Sequence, residues 1–163
     1  MQTNDFWKII DRVHAGNPDD MDAKCEALGA ELRKLSEPDL RSFIEHFDDA
    51  NARAYDWKLW GAAYLIHGGC SDDAFSDFRA TLISMGRKFY ERALADPDSL
   101  ADVDYDEDSA FYEGYQYVKN DVAQERLGEI PKRSKPHPAR PSGVSWEEDD
   151  LPALLPRLSR KFE

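Results

Sequence analysis

The sequence contains little cysteine and few basic residues, and each shortage excludes a class of protein. Its 163 residues include two cysteines, Cys25 and Cys70, which are too few for the disulfide framework of a small secreted scaffold. The 21 lysines and arginines stand against 33 aspartates and glutamates, and the net charge is -12. Such a charge repels nucleic-acid phosphates and anionic membrane surfaces. We therefore expect neither partner, and a basic protein or a cationic small molecule fits the charge better.

Long hydrophobic runs are also missing. The longest uncharged stretch, residues 59–71, has thirteen residues and includes three glycines, which is too short to cross a bilayer. The first residues lack the basic segment and apolar run of a secretory signal, so we expect a cytoplasmic, bacterial-type protein. Hydrophobic residues make up 41% of the chain, which is enough for one domain with its own core.

Apolar residues recur at spacings of three and four along most of the chain, while alternating patterns stay short. This period is typical of amphipathic helices. We predict an all-α fold: a compact single-domain bundle of about six helices, with its helical body in residues 1–127. Thr3 or Asn4 is the expected first N-cap. The expected N-caps of later helices are Ser36, Asp56 and Ser71. Residues 96–108 are predicted to be a loop, and residues 109–127 a helix.

The remainder of the chain has a different composition. Residues 128–145 contain four prolines and four basic residues without apolar periodicity, which predicts a Pro-rich basic linker. Its bases are expected to fold back on the acidic body. Residues 146–163 are predicted to form a C-terminal tail that packs on the body, where Pro152 and Pro156 limit it to short helical turns.

Residues 57–79 are the most unusual segment, and they allow a catalytic interpretation. Cys70 lies just before a predicted helix N-terminus, where the helix dipole lowers the pKa of a thiol. His67 is three residues away and could serve as its base.

A structural interpretation of the same residues is favoured. Ser71 is a good N-cap, and Cys70 and Phe75 have the spacing of a hydrophobic staple. Asp72 and Asp73 would raise the pKa of a nearby thiol. We therefore assign no catalytic residue, and whether the chain is an enzyme stays open, with a preference against it.

The aromatic residues of this segment suggest a small-molecule pocket, with Trp57, Trp60 and Tyr64 as its walls and Arg79 as a polar companion. The alternative is that the aromatic stripe belongs to the core and that Arg79 forms a structural ion pair with a nearby aspartate. The complete set of ligand-binding candidates is Trp57, Trp60, Tyr64, His67, Cys70, Asp72, Asp73 and Arg79.

An acidic loop offers a weak candidate cation site made of Asp102, Asp104, Asp106 and Asp108. With Glu113, these residues match the ligand types of an EF-hand loop, but Glu107 occupies the position where the sharp turn requires glycine. The histidines and cysteines show no zinc spacing. We therefore predict no bound metal and no cofactor.

The run Trp-Gly-Ala-Ala-Tyr at residues 60–64, followed by Gly-Gly-Cys-Ser-Asp-Asp at residues 68–73, resembles an uncharacterised bacterial domain-of-unknown-function family. Residues 5–11 and the segment from Trp146 to 158 resemble it as well, so the resemblance extends over nearly the whole chain. Thr81 departs from it, because relatives often carry tryptophan there. The resemblance implies a stand-alone domain with an accessory role, and it brings no catalytic residue or cofactor.

These observations favour a non-catalytic, acidic helical module that binds another protein. The alternative is a small-molecule-binding protein or enzyme with its pocket at the junction of residues 57–79. The sequence does not identify the ligand, the partner or the oligomeric state.

Overall fold

The computed structural model describes residues 1–163 with the exception of the Glu107 side chain. The all-α prediction is confirmed, since the described residues form no β-strand and only one isolated bridge, between Asp56 and Ser142. The α-helices are α1 (Thr3–Gly16), α2 (Met21–Arg33), α3 (Glu37–Arg53), α4 (Trp57–His67), α5 (Asp72–Ser84), α6 (Arg87–Ala95), α7 (Glu107–Ala110), α8 (Val118–Leu127), α9 (Leu151–Leu154) and α10 (Pro156–Lys161). The 3₁₀ helices are Pro97–Asp102, Tyr115–Tyr117 and Glu148–Asp150.

The predicted caps explain where several helices begin. Ser36, Asp56 and Ser71 are confirmed as N-caps of α3, α4 and α5, each accepting a hydrogen bond from the backbone three residues later. The prediction for α1 was wrong, because Gln2 is the N-cap in place of Thr3 or Asn4. The Asp5 carboxylate accepts the Gln2 N–H at 2.9 Å, and this bond starts the helix one residue earlier.

Helix α5 is the centre of the bundle. It packs against α1, α3, α4, α6 and α7, and its residues from Phe78 to Ser84 are all buried. Large aromatic side chains fill the space between α1, α3 and α6, where Phe6 packs on Phe43 with ring centroids 4.9 Å apart. Because α5 is enclosed on nearly all sides, polar groups on it must find partners inside the protein.

The predicted helix over residues 109–127 is interrupted. Helix α7 ends at Ala110, and the chain turns before Tyr115–Tyr117 and α8. The Thr81 hydroxyl donates to the Ala110 carbonyl, so this carbonyl is held by α5 at the point where the helix stops. The turn places the Tyr115 ring in the core, 6.1 Å from the Phe47 ring.

The C-terminal residues cover one face of α4. Within residues 128–146, which we call the strap, Ser142 accepts the Trp57 N–H and donates its own N–H to the Tyr55 carbonyl, both at 2.9 Å. The tail then buries Leu151 and Leu155 beside Gly61. A Cβ atom at Gly61 would lie 2.9 Å from Leu151 Cδ2, so this glycine allows the tail to approach closely.

Asp98 fixes the end of the tail. Its carboxylate accepts the Arg157 N–H at 3.1 Å and the Leu158 N–H at 2.9 Å, and thereby caps α10 from a distant part of the chain. We expect Asp98→Ala to lower the free energy of unfolding by about 2 kcal/mol, because two backbone donors lose a charged acceptor. Urea denaturation would measure the loss. Asp98→Asn keeps one acceptor and should lose less, so equal losses in the two variants would contradict this role.

Candidate functional site

Two of the three aromatic residues predicted as pocket walls, Trp57 and Trp60, pack on one another. The Trp60 ring stacks between Trp57, at a centroid distance of 5.5 Å, and Phe75, at 5.0 Å. The Trp60 indole N–H donates to the Cys70 carbonyl at 3.0 Å. Tyr64 lies apart from this stack, with its ring 5.4 Å from the Trp146 ring. The junction therefore holds a layered aromatic cluster that joins α4 to α5.

Arg79 lies buried at the edge of this cluster. Its guanidinium is 4.6 Å from the Tyr55 ring centroid and 4.8 Å from the Phe75 ring centroid. It donates to the Asn51 carbonyl at 3.2 Å and lies 3.3 Å from His137 Nε2 in the strap. Burial lowers the Arg79 pKa to about 10. Cation–π contacts and a backbone carbonyl thus stabilise the buried guanidinium.

The predicted ion-pair partners of Arg79 have other contacts. Asp72 accepts a hydrogen bond from the Tyr55 hydroxyl at 3.4 Å and acts on Arg79 through longer-range attraction. Asp73 is exposed in the first turn of α5. Arg79, in the middle of α5, and the two acids, in its first turn, therefore do not converge on one pocket.

Cys70 and His67 do not form a nucleophile–base pair in this geometry. Burial raises the Cys70 pKa to about 12, and its thiol is directed to the Ser71 carbonyl at 3.5 Å. The His67 Nδ1 lies 2.7 Å from the Gly69 carbonyl, and its ring packs 4.4 Å from Phe111. A thiol with this pKa is protonated at neutral pH and is a poor nucleophile.

The first acid of the loop is engaged by basic side chains. Asp102 pairs with both Arg157 and Arg92. These hydrogen bonds, the one from Arg157 first, lower the Asp102 pKa. Asp102 therefore ties the loop to α6 and α10.

Asp104 and Asp106 have separate partners. Asp104 lies 3.7 Å from Lys161 Nζ, and Asp106 accepts the Ser109 hydroxyl at 2.8 Å. Asp108 is exposed. In the part of the chain that the structure describes, no three His, Cys, Asp or Glu side chains are grouped so that they could hold a metal ion.

A cavity that the sequence did not predict lies between α2, α5 and residues 103–106. Its volume is about 240 Å³. Exposed acids line its outer part: Asp19, Asp104 and Asp106. Its apolar walls are Met21, Phe78, Leu82, Met85 and Phe89.

Lys24 also lines this cavity, and its side chain is fully buried. Its Nζ donates to the Ser84 carbonyl at 3.2 Å and contacts the Met85 sulfur at 3.6 Å. Burial lowers the Lys24 pKa to about 8, although the attraction of Asp19 opposes this shift. A backbone carbonyl and a thioether offset only part of the free-energy cost of burying the ammonium charge.

Besides Lys24, Tyr105 is a second residue of the cavity lining with a buried polar group that lacks a full set of partners in the described chain. Its hydroxyl is buried and has no hydrogen-bond partner among the described residues, and burial raises its pKa. The Thr81 and Ser84 hydroxyls in the same cavity wall donate to the carbonyls of Ala110 and Thr81. Tyr105 is therefore the cavity-lining residue whose hydroxyl has no partner in the described part of the chain.

Sequence reasoning missed this site, although Lys24 gave a signal. Lys24, Leu28 and Leu32 follow each other at intervals of four in α2, and all three are fully buried. A lysine in an apolar stripe predicts a buried cation. Tyr105 gave no comparable signal, because only the fold brings its loop to α2.

A family model described as "Protein of unknown function (DUF4240)" matches residues 1–125. No curated protein and no solved structure matches the chain. None of the helices in the described residues has the length and apolar character needed to cross a membrane.

Proposed function

Because the chain belongs to the DUF4240 family of proteins of unknown function, we propose a function from its own geometry: it is a non-catalytic domain that binds a small molecule in the cavity beside Lys24. The observation that carries this proposal is the cavity itself, which combines apolar walls with a buried lysine and an unpaired tyrosine hydroxyl. Apolar pockets with a few oriented polar groups are the usual form of ligand sites.

The dimensions and chemistry of the cavity limit the ligand. Its volume of about 240 Å³ is below the ~300–1,000 Å³ of typical drug-sized pockets, so the ligand is a small metabolite. Burial raises the pKa of both thiols, Cys25 and Cys70, which argues against a thiol nucleophile in this domain. We also propose a bacterial-type cytoplasm as its compartment; both cysteines are unpaired, which supports a reducing environment.

The site is tested by a thermal-shift screen against amino acids, carboxylates, amines, sugars and nucleotides. A ligand present at a hundred times its Kd stabilises the folded state by about 2.7 kcal/mol, which corresponds to a rise in Tm of about 5–10 °C for a domain of this size. Ser109→Trp should abolish the shift, because Ser109 lines the cavity and the indole would obstruct it.

The matched control is Ser145→Trp, which changes an exposed serine in the strap and should leave the shift intact. A shift that persists in Ser109→Trp would place the ligand elsewhere. No shift with any compound would overturn the proposal.

We also propose a second function, binding of a basic protein, which a separate observation favours. Asp104, Asp106 and Asp108 are exposed and close together in the sequence, at and just before the start of α7, in a chain with a net charge of -12. Pull-down from source-cell extract should capture a basic partner at low salt and lose it when ions screen the charges. The triple Asp→Asn variant of these residues should capture less. No partner at any ionic strength would contradict this function.

A further inference from the structure

The charged groups around the cavity are ordered by depth. Lys24 has no exposed surface, whereas Asp19, Asp104 and Asp106 are exposed. A ligand in the cavity therefore meets carboxylates at its outer end and an ammonium group near its inner end. This inference rests on the proposed small-molecule site and concerns the chemistry of its ligand.

The inner end lacks a negative group. In the described part of the chain, Lys24 Nζ has a backbone carbonyl and a thioether as hydrogen-bond partners, and no carboxylate oxygen lies within 4.0 Å of it. Of these partners, the Met85 sulfur at 3.6 Å is the weaker acceptor. Met85 is a flexible side chain that lines the cavity, so a ligand carboxylate can reach Nζ by displacing it.

Tyr105 supplies a second donor for the same group. Its hydroxyl is buried without a partner among the described residues, and Tyr105 lines the same cavity as Lys24. A carboxylate has two oxygens and accepts several hydrogen bonds. One ligand carboxylate would therefore compensate the buried charge of Lys24 and satisfy the Tyr105 hydroxyl.

The outer end favours a cation. A simple monocarboxylate would have to pass the three exposed acids, and a simple amine would leave Lys24 uncompensated. A ligand that carries both charges avoids both costs, and its zero net charge is not repelled by an acidic protein. We propose that the cavity binds a small zwitterion of the amino-acid type, with its carboxylate at Lys24 and Tyr105, its ammonium group at the outer acids and its apolar side chain against Phe78 and Leu82.

Isothermal titration calorimetry tests the proposal with the apolar amino acids from L-alanine to L-phenylalanine as probes. Each is compared with two analogues that lack one charge. For L-leucine these are 4-methylpentanoate, which lacks the ammonium group, and 3-methylbutylamine, which lacks the carboxylate. We expect an amino acid of fitting size to bind and each analogue to bind at least about tenfold more weakly.

Two variants with a matched control locate the carboxylate. Tyr105→Phe should weaken amino-acid binding by about tenfold or more. Tyr115→Phe removes another buried hydroxyl without a partner in the described chain, but Tyr115 does not contribute to the cavity lining and its loss should not affect binding. Lys24→Met should abolish binding. Circular dichroism and the unfolding transition verify that each variant is folded.

Each other outcome overturns the inference. If the amine binds as tightly as the amino acid, the cavity has no carboxylate site. If the carboxylic acid analogue binds as tightly as the amino acid, the outer acids do not bind the ammonium group. If Tyr105→Phe and Tyr115→Phe weaken binding equally, Tyr105 does not contact the ligand. If no apolar amino acid binds but another compound binds and is blocked by Ser109→Trp, the zwitterion is wrong and the proposed function stands. If no compound binds, both fail.

Discussion

Replacing Gly86 with alanine should lower the free energy of unfolding by about 3 kcal/mol. Gly86 joins α5 to α6 with φ 96° and ψ 166°, a conformation that is essentially restricted to glycine. An added Cβ would also lie 2.9 Å from Asp11 Oδ1. That oxygen accepts the Arg87 N–H at 2.8 Å, so it cannot move away without breaking the contact between α1 and the start of α6.

Urea denaturation followed by circular dichroism measures this loss. The matched control is Gly16→Ala, because a Cβ at Gly16 meets no atom within 4 Å. The control should change the free energy of unfolding by less than about 0.5 kcal/mol. Similar losses in the two variants would show that the backbone at Gly86 is not the cause.

Replacing Lys24 with methionine should have the opposite effect and raise the free energy of unfolding at pH 7 by about 1–3 kcal/mol. Burial of the Lys24 ammonium is costly because its partners are a carbonyl and a thioether. Methionine fills a similar volume without a charge, although it leaves the Ser84 carbonyl without this donor. The gain is therefore smaller than the full cost of the buried charge.

The pH dependence of this gain identifies its cause. The Lys24 pKa is about 8 in the folded protein and 10.5 for an ordinary lysine. Between these values the unfolded chain holds a proton that the folded chain has released, so the stability that depends on Lys24 rises with pH. The advantage of Lys24→Met should therefore shrink between pH 8 and pH 10.5.

Urea denaturation of both proteins at pH 7 and pH 10 gives the comparison. The tyrosines with raised pKa values are present in both proteins and cancel in the difference. His14, Asp19 and Cys25 are the titratable neighbours of Lys24, and they are retained as well. A difference in stability that does not vary with pH would contradict burial of a charged lysine. A variant that gains stability and loses its ligand would show that Lys24 is kept for function.

The parts of the fold that depend on local signals were predictable from the sequence. Ser36, Asp56 and Ser71 cap helices because each side chain bonds a backbone N–H three residues later, and this requires no knowledge of the rest of the chain. The break after Ala110 was not predictable in this way. It coincides with a hydrogen bond from Thr81, which lies on another helix.

In the candidate site too, local sequence predicts some contacts and the fold determines the others. The neighbours within the aromatic cluster followed from their spacing, since Trp57 and Trp60 lie on one turn of α4 and do stack. The cavity depends on three distant segments that only the fold brings together. Lys24 was recognisable as a polar residue in an apolar stripe, but its relation to Tyr105 was not.

The covering of α4 by the C-terminal residues has a consequence during protein synthesis. Asp98 leaves the ribosome 60 residues before Leu158, the residue whose N–H it accepts. Trp57 leaves 89 residues before Trp146. At about 5–20 residues per second, the apolar face around Gly61 is uncovered for several seconds in every new chain.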